Sequence, residues 1–114
     1  MLNIDLEYKK GILFLRLNGV LNKTTSFILK DAIKRIVNGA GIKYLLINFE
    51  NLDEIDGEGI STIMNSYNEY LKSNGKLMVC GYNNNVRINI EKTKLKDYAL
   101  ELNNEKSAIN LVNI

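Results

Sequence analysis

Lys43-Tyr44-Leu45-Leu46-Ile47-Asn48-Phe49-Glu50-Asn51-Leu52-Asp53-Glu54-Ile55-Asp56-Gly57-Glu58-Gly59-Ile60 passes from an unbroken apolar run, through an acidic segment, into the start of an amphipathic helix. Tyr44 to Ile47 leaves no polar face, so a strand over 43–49 is expected to be central and buried on both sides. Asn51 to Gly59 reads as a polar loop rich in acid. Beyond it Ile60, Ile63, Met64, Tyr67 and Leu71 recur at helical spacing, and Asn74-Gly75 is expected to stop that helix. Strand, turn and helix in this order form the repeating unit of a parallel sheet.

Reading outward, Leu2 to Tyr8 alternates apolar and polar residues as a half-buried strand does. Lys9-Lys10-Gly11 reads as a hairpin turn into a second strand over 12–17, with Leu13, Leu15 and Leu17 on one face. Thr24 or Thr25 is placed to cap a helix whose stripe is Ile28, Leu29, Ala32, Ile33, Ile36 and Val37, ended by Asn38-Gly39. Downstream, Lys76 to Cys80 is a buried strand and Val86 to Lys94 a short helix. Tyr98 to Leu102 is an outer strand and Glu105 to Val112 a closing helix. The order ββαβαβαβα predicts one α/β domain over 1–114, with a mixed, mostly parallel sheet and right-handed crossovers.

Composition narrows the function. The chain has 114 residues, 46% hydrophobic and 25% charged, with a net charge of +2, as an ordinary globular domain does. Its basic residues are scattered; Lys92, Lys94 and Lys96 are the one cluster, and they read as solvated surface rather than a phosphate grip, so no direct nucleic-acid partner is expected. Histidine is absent, which removes Ser-His-Asp and Cys-His nucleophiles and a Cys/His zinc site. Cys80, the one cysteine, ends an apolar run and reads as a small core residue. No signal-peptide pattern and no membrane-length apolar run is present, so a cytoplasmic protein without membrane or cofactor is expected.

The turn Asp56-Gly57-Glu58-Gly59 fails the sharper motifs. A calcium loop begun at Asn51 would place Ile55 at a ligand position and Asp56 where glycine is needed. A dinucleotide fingerprint would place Thr62 at the last glycine, and the acidic residues would repel a pyrophosphate. Gly-Lys-Ser/Thr is absent. Asp53, Glu54, Asp56 and Glu58 have no nucleophile or oxyanion donor near them in sequence, so no enzyme is expected. The plainer reading is helix capping by Asp56, with Glu58 favoured at the positive helix end.

The chain resembles the STAS family of the anti-sigma-factor-antagonist type. Leu15 to Asn22 resembles that family's Gly-x-Leu-Asp motif, Thr25 its following threonine, and Tyr44 to Phe49 its central strand. Ile55 to Ile60 sits where the family has Asp-Ser-Ser-Gly. Leu71 to Gly81 and Ser107-Ala108 resemble its later segments. The resemblance implies a regulatory protein that binds an anti-sigma factor, itself a kinase of the histidine-kinase-like ATPase type. That kinase phosphorylates the first serine, and about two added negative charges break the complex. Asp56, Gly57, Glu58, Gly59 and Ser61 would form the switch turn, with Asn22, Thr24 and Thr25 beside it.

This sequence departs from the family at the decisive position. Gly57 stands at the phosphoacceptor, Glu58 at the second serine, and Asn22 at the family aspartate. Either the protein is an unswitched binder, or Glu58 mimics phosphorylation and holds it off. The first is favoured, because a carboxylate has one charge and sits one residue along. Ser61 and Thr62 are either substitute acceptors or plain first-turn residues. The alternative function is a small-ligand sensor for nucleotides or lipids, or a signalling adaptor outside sigma control. Oligomeric state, monomer or weak dimer, is left open.

Overall fold

The computed structural model describes residues 1–36 and 41–113. The element order is β1 (Leu2–Lys9), β2 (Ile12–Leu21), α1 (Ser26–Ile36), β3 (Ile42–Ile55), α2 (Gly57–Tyr70), β4 (Leu71–Cys80), α3 (Asn84–Glu91), α4 (Leu95–Tyr98), β5 (Ala99–Glu101) and α5 (Glu105–Val112). The expected order holds, with the single turn α4 added. The strands form one sheet in the order β1-β2-β3-β4-β5. β1 and β2 are antiparallel, and every other pair is parallel. The hairpin turns on Lys10 and Gly11, both at positive φ (55° and 78°), which matches the twist of the flanking strands.

The sheet divides two cores. Leu13, Leu15, Leu17, Leu45, Ile47, Leu77 and Val79 point to one face. There Leu29 and Ile33 of α1, Ile60 and Ile63 of α2, Val86 and Ile90 of α3, and Leu95 of α4 pack on them. Ile12, Phe14, Leu46, Met78 and Cys80 point to the other face, which α5 covers with Ala108, Ile109 and Val112. Residues 44–47 thus feed both cores, as an apolar run in a central strand must.

Several boundaries differ from the sequence expectation. Asn51 to Ile55 is strand rather than loop: Leu52 and Ile55 are buried, Asp53 and Glu54 face water, and the segment pairs with Asn18 to Leu21 of a longer β2. A register shift beside Gly19 and Val20 absorbs the odd residue. α2 stops at Tyr70, not at Asn74-Gly75, because Leu71 is already extended (φ −80°, ψ 133°) and opens β4 beside Ile42. α3 begins and ends earlier than expected, capped by Asn83, whose Oδ1 accepts from the Val86 N–H at 2.8 Å. β5 is trimmed to three residues. Asn38-Gly39 and Val37 lie outside the described residues. Lys92, Lys94 and Lys96 are exposed, and Cys80 is buried, its thiol pushed up to about 11 mainly by that burial.

Arg16 ties the second core together. Its guanidinium donates to Glu105 at 2.7 and 2.8 Å, to Asp5 at 2.6 Å and to Glu7 at 2.9 Å, while the Asn48 amide donates to Glu105 at 2.9 Å. The Arg16 hydrogen bond, helped by Asn48, holds the Glu105 carboxyl below its ordinary value against the opposing effect of burial. A lowered folded pKa adds stability that is complete above the unfolded pKa and is lost as pH falls through the folded one. Glu105→Gln is therefore expected to lower stability at pH 7 by about 1 kcal/mol, a small value because the pair is only part-buried. That difference should shrink toward zero in acid, below the ordinary carboxylate range. Urea midpoints at neutral and acidic pH check this; an equal difference at both would remove Glu105 as the cause.

Candidate functional site

The turn between β3 and α2 is built on Asp56. The residue is extended (φ −114°, ψ −178°), and its Oδ1 accepts from the Gly59 N–H at 2.8 Å, as a helix N-cap does. Its Oδ2 accepts from the backbone N–H of Lys23 at 3.1 Å, and its own N–H donates to the Leu21 carbonyl at 3.2 Å. One carboxylate thus joins the start of α2 to the segment between β2 and α1. The two stretches singled out in the sequence meet here.

That second segment has its own frame. Asn22 Oδ1 accepts from the backbone N–H groups of Thr24 (2.9 Å) and Thr25 (3.1 Å). The buried Thr25 hydroxyl donates to the Val20 carbonyl at 2.8 Å and accepts from the Asn22 N–H at 2.9 Å. The expectation that Thr24 or Thr25 caps α1 is corrected: Thr25 turns back toward β2, Thr24 is exposed, and Asn22 supplies the turn geometry. An amide oxygen accepts two N–H bonds as a carboxylate would, so Asn22 serves this role without a charge.

The two glycines of the turn differ. Gly57 is exposed, and a Cβ there would meet nothing within 4 Å. Gly59 is buried, and a Cβ there would lie 2.7 Å from the Leu21 carbonyl oxygen and 2.8 Å from its Cγ. Gly59 is imposed by close approach of α2 to β2; Gly57 is not imposed by the backbone. Glu58 and Ser61 are exposed on the first turns of α2. Thr62 is buried, and its hydroxyl donates to the Glu58 carbonyl at 3.0 Å, so it does not face solvent as a plain first-turn residue would.

The sequence expectation included the helix α3 but did not place it beside this turn. Asn85 and Asn89 line one cleft of about 330 Å³ together with Asn22, Glu54 and Asp56. Ile88, between them, is 57% exposed, and Phe27, just after the Asn22–Thr25 segment, is 60% exposed. The signal was phase: both lie off the apolar stripes that bury Val86 and Ile90, or Leu29 and Ile33. A larger cleft of about 420 Å³, between Arg16, Asn48, Cys80 and Glu105, shares no lining residue with this one. No described helix is long and apolar enough to cross a membrane, and no group of three or more described Cys, Asp or Glu residues is placed to hold a metal ion.

The glycine contrast gives a direct check. Gly59→Ala is expected to destabilise the fold by about 1–3 kcal/mol through overpacking. Gly57→Ala should stay within ~1 kcal/mol of the parent, on the stabilising side, since alanine favours the helix. Urea denaturation of the two variants decides; equal effects would refute the distinction.

The family profile of the STAS domain matches residues 3–108. The anti-sigma F factor antagonist of Paenibacillus polymyxa is 26% identical over 82 residues, covering 72% of this chain and 70% of that protein. An anti-sigma factor antagonist from Mycobacterium paratuberculosis superposes with a TM-score of 0.85 at 18% identity, covering 100% of this chain and 96% of the other. The Bacillus cell fate determinant SpoIIAA in its phosphorylated form gives 0.73 at 19% identity, over 96% and 99% of the two chains. At such identities the superpositions speak for the fold, and the profile, spanning nearly the whole chain, speaks for descent: this chain belongs to the STAS domain family.

Proposed function

We propose that this protein is an anti-sigma-factor antagonist that binds an anti-sigma factor of the histidine-kinase-like ATPase type through the face around Asp56. The observation that carries the reading is the double engagement of the Asp56 carboxylate, which joins the Gly57–Ser61 turn and the Asn22–Thr25 segment into one fixed surface. A surface held rigid before binding loses little freedom on association. Phe27, two residues past Thr25, and Ile88, between the cleft-lining Asn85 and Asn89, are exposed apolar side chains available as anchors for a partner. Asp53, Glu54, Asp56 and Glu58 make the rest acidic, which suits a partner surface bearing basic groups.

Phosphorylation at Gly57 is ruled out by chemistry, since glycine has no hydroxyl. The open space around Gly57 supports reading this as loss of a switch rather than as a demand of the backbone. The protein is then an unswitched binder at that position. Glu58 sits in the first turn of α2, where its charge suits the positive helix end.

Calorimetric titration against the anti-sigma factor kinase of the source genome tests both parts. The parent protein should bind in the presence of ATP and stay unmodified by intact mass. Asp56→Asn, which keeps a good cap, should fold normally. Glu58→Lys should weaken binding by about tenfold through like-charge contact. Gly57→Ser should accept a phosphate and then release the partner. Unchanged affinity in Glu58→Lys would move the contact elsewhere, and a phosphate on the parent turn would overturn the unswitched reading.

A further inference from the structure

We infer that α5 is a releasable cover on the second face of the sheet, one that lifts while the face carrying α1 to α4 stays folded. The two faces are built unequally. α1, α2, α3 and α4 interlock in a single core with β1 to β4. On the other face Ile12, Phe14, Leu46, Met78 and Cys80 are each no more than 2% exposed, and the helix that packs on them is α5. α5 has eight residues, too few to hold a helix alone in water. It buries only Ala108 fully, with Ile109 and Val112 half-buried.

Polar ties hold α5 at both ends. Glu105 at its start takes the hydrogen bonds of Arg16 and Asn48, and Asn113 just past its end donates from Nδ2 to the Lys10 carbonyl at 3.1 Å. The first tie is built to part. Arg16 keeps Asp5 and Glu7 when Glu105 leaves, so release strands no unpaired guanidinium, and Glu105 passes into water. Stranding a charge is what makes most part-buried ion pairs costly to break. Regions with few buried contacts and solvent-facing polar ties open at free energies below that of global unfolding.

Cys80 reports the motion. Cys80 shares an apolar cluster with Ala108 of α5, lines the cleft that Glu105 also lines, and is 2% exposed when α5 is seated. The test is thiol labelling with an aromatic disulfide reagent, paired with amide hydrogen exchange, on the full chain at neutral pH. Three proteins are compared: the parent, Glu105→Gln and Asn113→Ala, the last a mild change that leaves the Arg16 network whole. In the parent, Cys80 should label and α5 amides exchange at least tenfold faster than the amides of β3, with weak dependence on urea. Both substitutions should raise the two rates together, Glu105→Gln by about fivefold, with β3 amides remaining at least tenfold slower than those of α5. Labelling of Cys80 and exchange of α5 in step with β3 in all three proteins would overturn the inference. Fast labelling with α5 amides still protected would overturn it too, since the reagent would then enter through the cleft.

Discussion

Each parallel crossover in this chain lays its new strand beyond the last on the same side, so the sheet reads β1-β2-β3-β4-β5 without a reversal. Crossovers of one hand that always advance in one direction put their helices on one face. That constraint places α1 to α4 together and leaves the opposite face to α5 alone. It also removes the crevice that forms where a doubly wound sheet reverses its strand order, the usual ligand site of open α/β sheets. A chain wound this way lacks that crevice, which is consistent with the proposed use of a surface rather than a central pocket.

The turn at Asp56 is delivered where the ends of β2 and β3 pair, Asn18 to Leu21 against Asn51 to Ile55. Leu52 and Ile55 keep the end of β3 anchored while Asp53 and Glu54 stay in water, and the paired ends deliver Leu21 and Asp56 to the same place. Asp56 then fixes α2 through Gly59 and the neighbouring segment through Lys23. Gly59 lets the helix sit against Leu21. Rigidity at this turn and the missing hydroxyl at Gly57 are separate properties: the first comes from the fold, the second from a single side chain.

The second face follows the opposite logic. A sheet surface of large apolar residues is closed by one short helix and a charged network centred on Arg16, whose several partners share one cation. The strong part of the molecule and its detachable part are thus divided by the sheet, with β3 contributing to both.

Much of this was legible in the sequence because local pattern and tertiary demand agreed. The alternation in β1, the Lys10-Gly11 turn, the apolar run Tyr44–Ile47 and the cap at Asp56 each follow from backbone periodicity or from a side chain acting on its own neighbours. The misses fall where a distant partner decided. Asn51 to Ile55 looked like a loop by composition, and pairing with Asn18 to Leu21 made it strand. Asn74-Gly75 looked like a helix stop, and the pairing of Leu71 with Ile42 ended the helix earlier. Thr25 looked like a cap, and the Val20 carbonyl took its hydroxyl. The sequence by itself determined the element types, the direction of each apolar face and the absence of a hydroxyl at position 57, since these are local properties of the chain. Tertiary structure alone decided that Asn85 and Asn89 share a cleft with Asp56 and that Glu105 meets Arg16 across 89 residues of sequence, because such contacts depend on how the sheet winds, which no local pattern encodes.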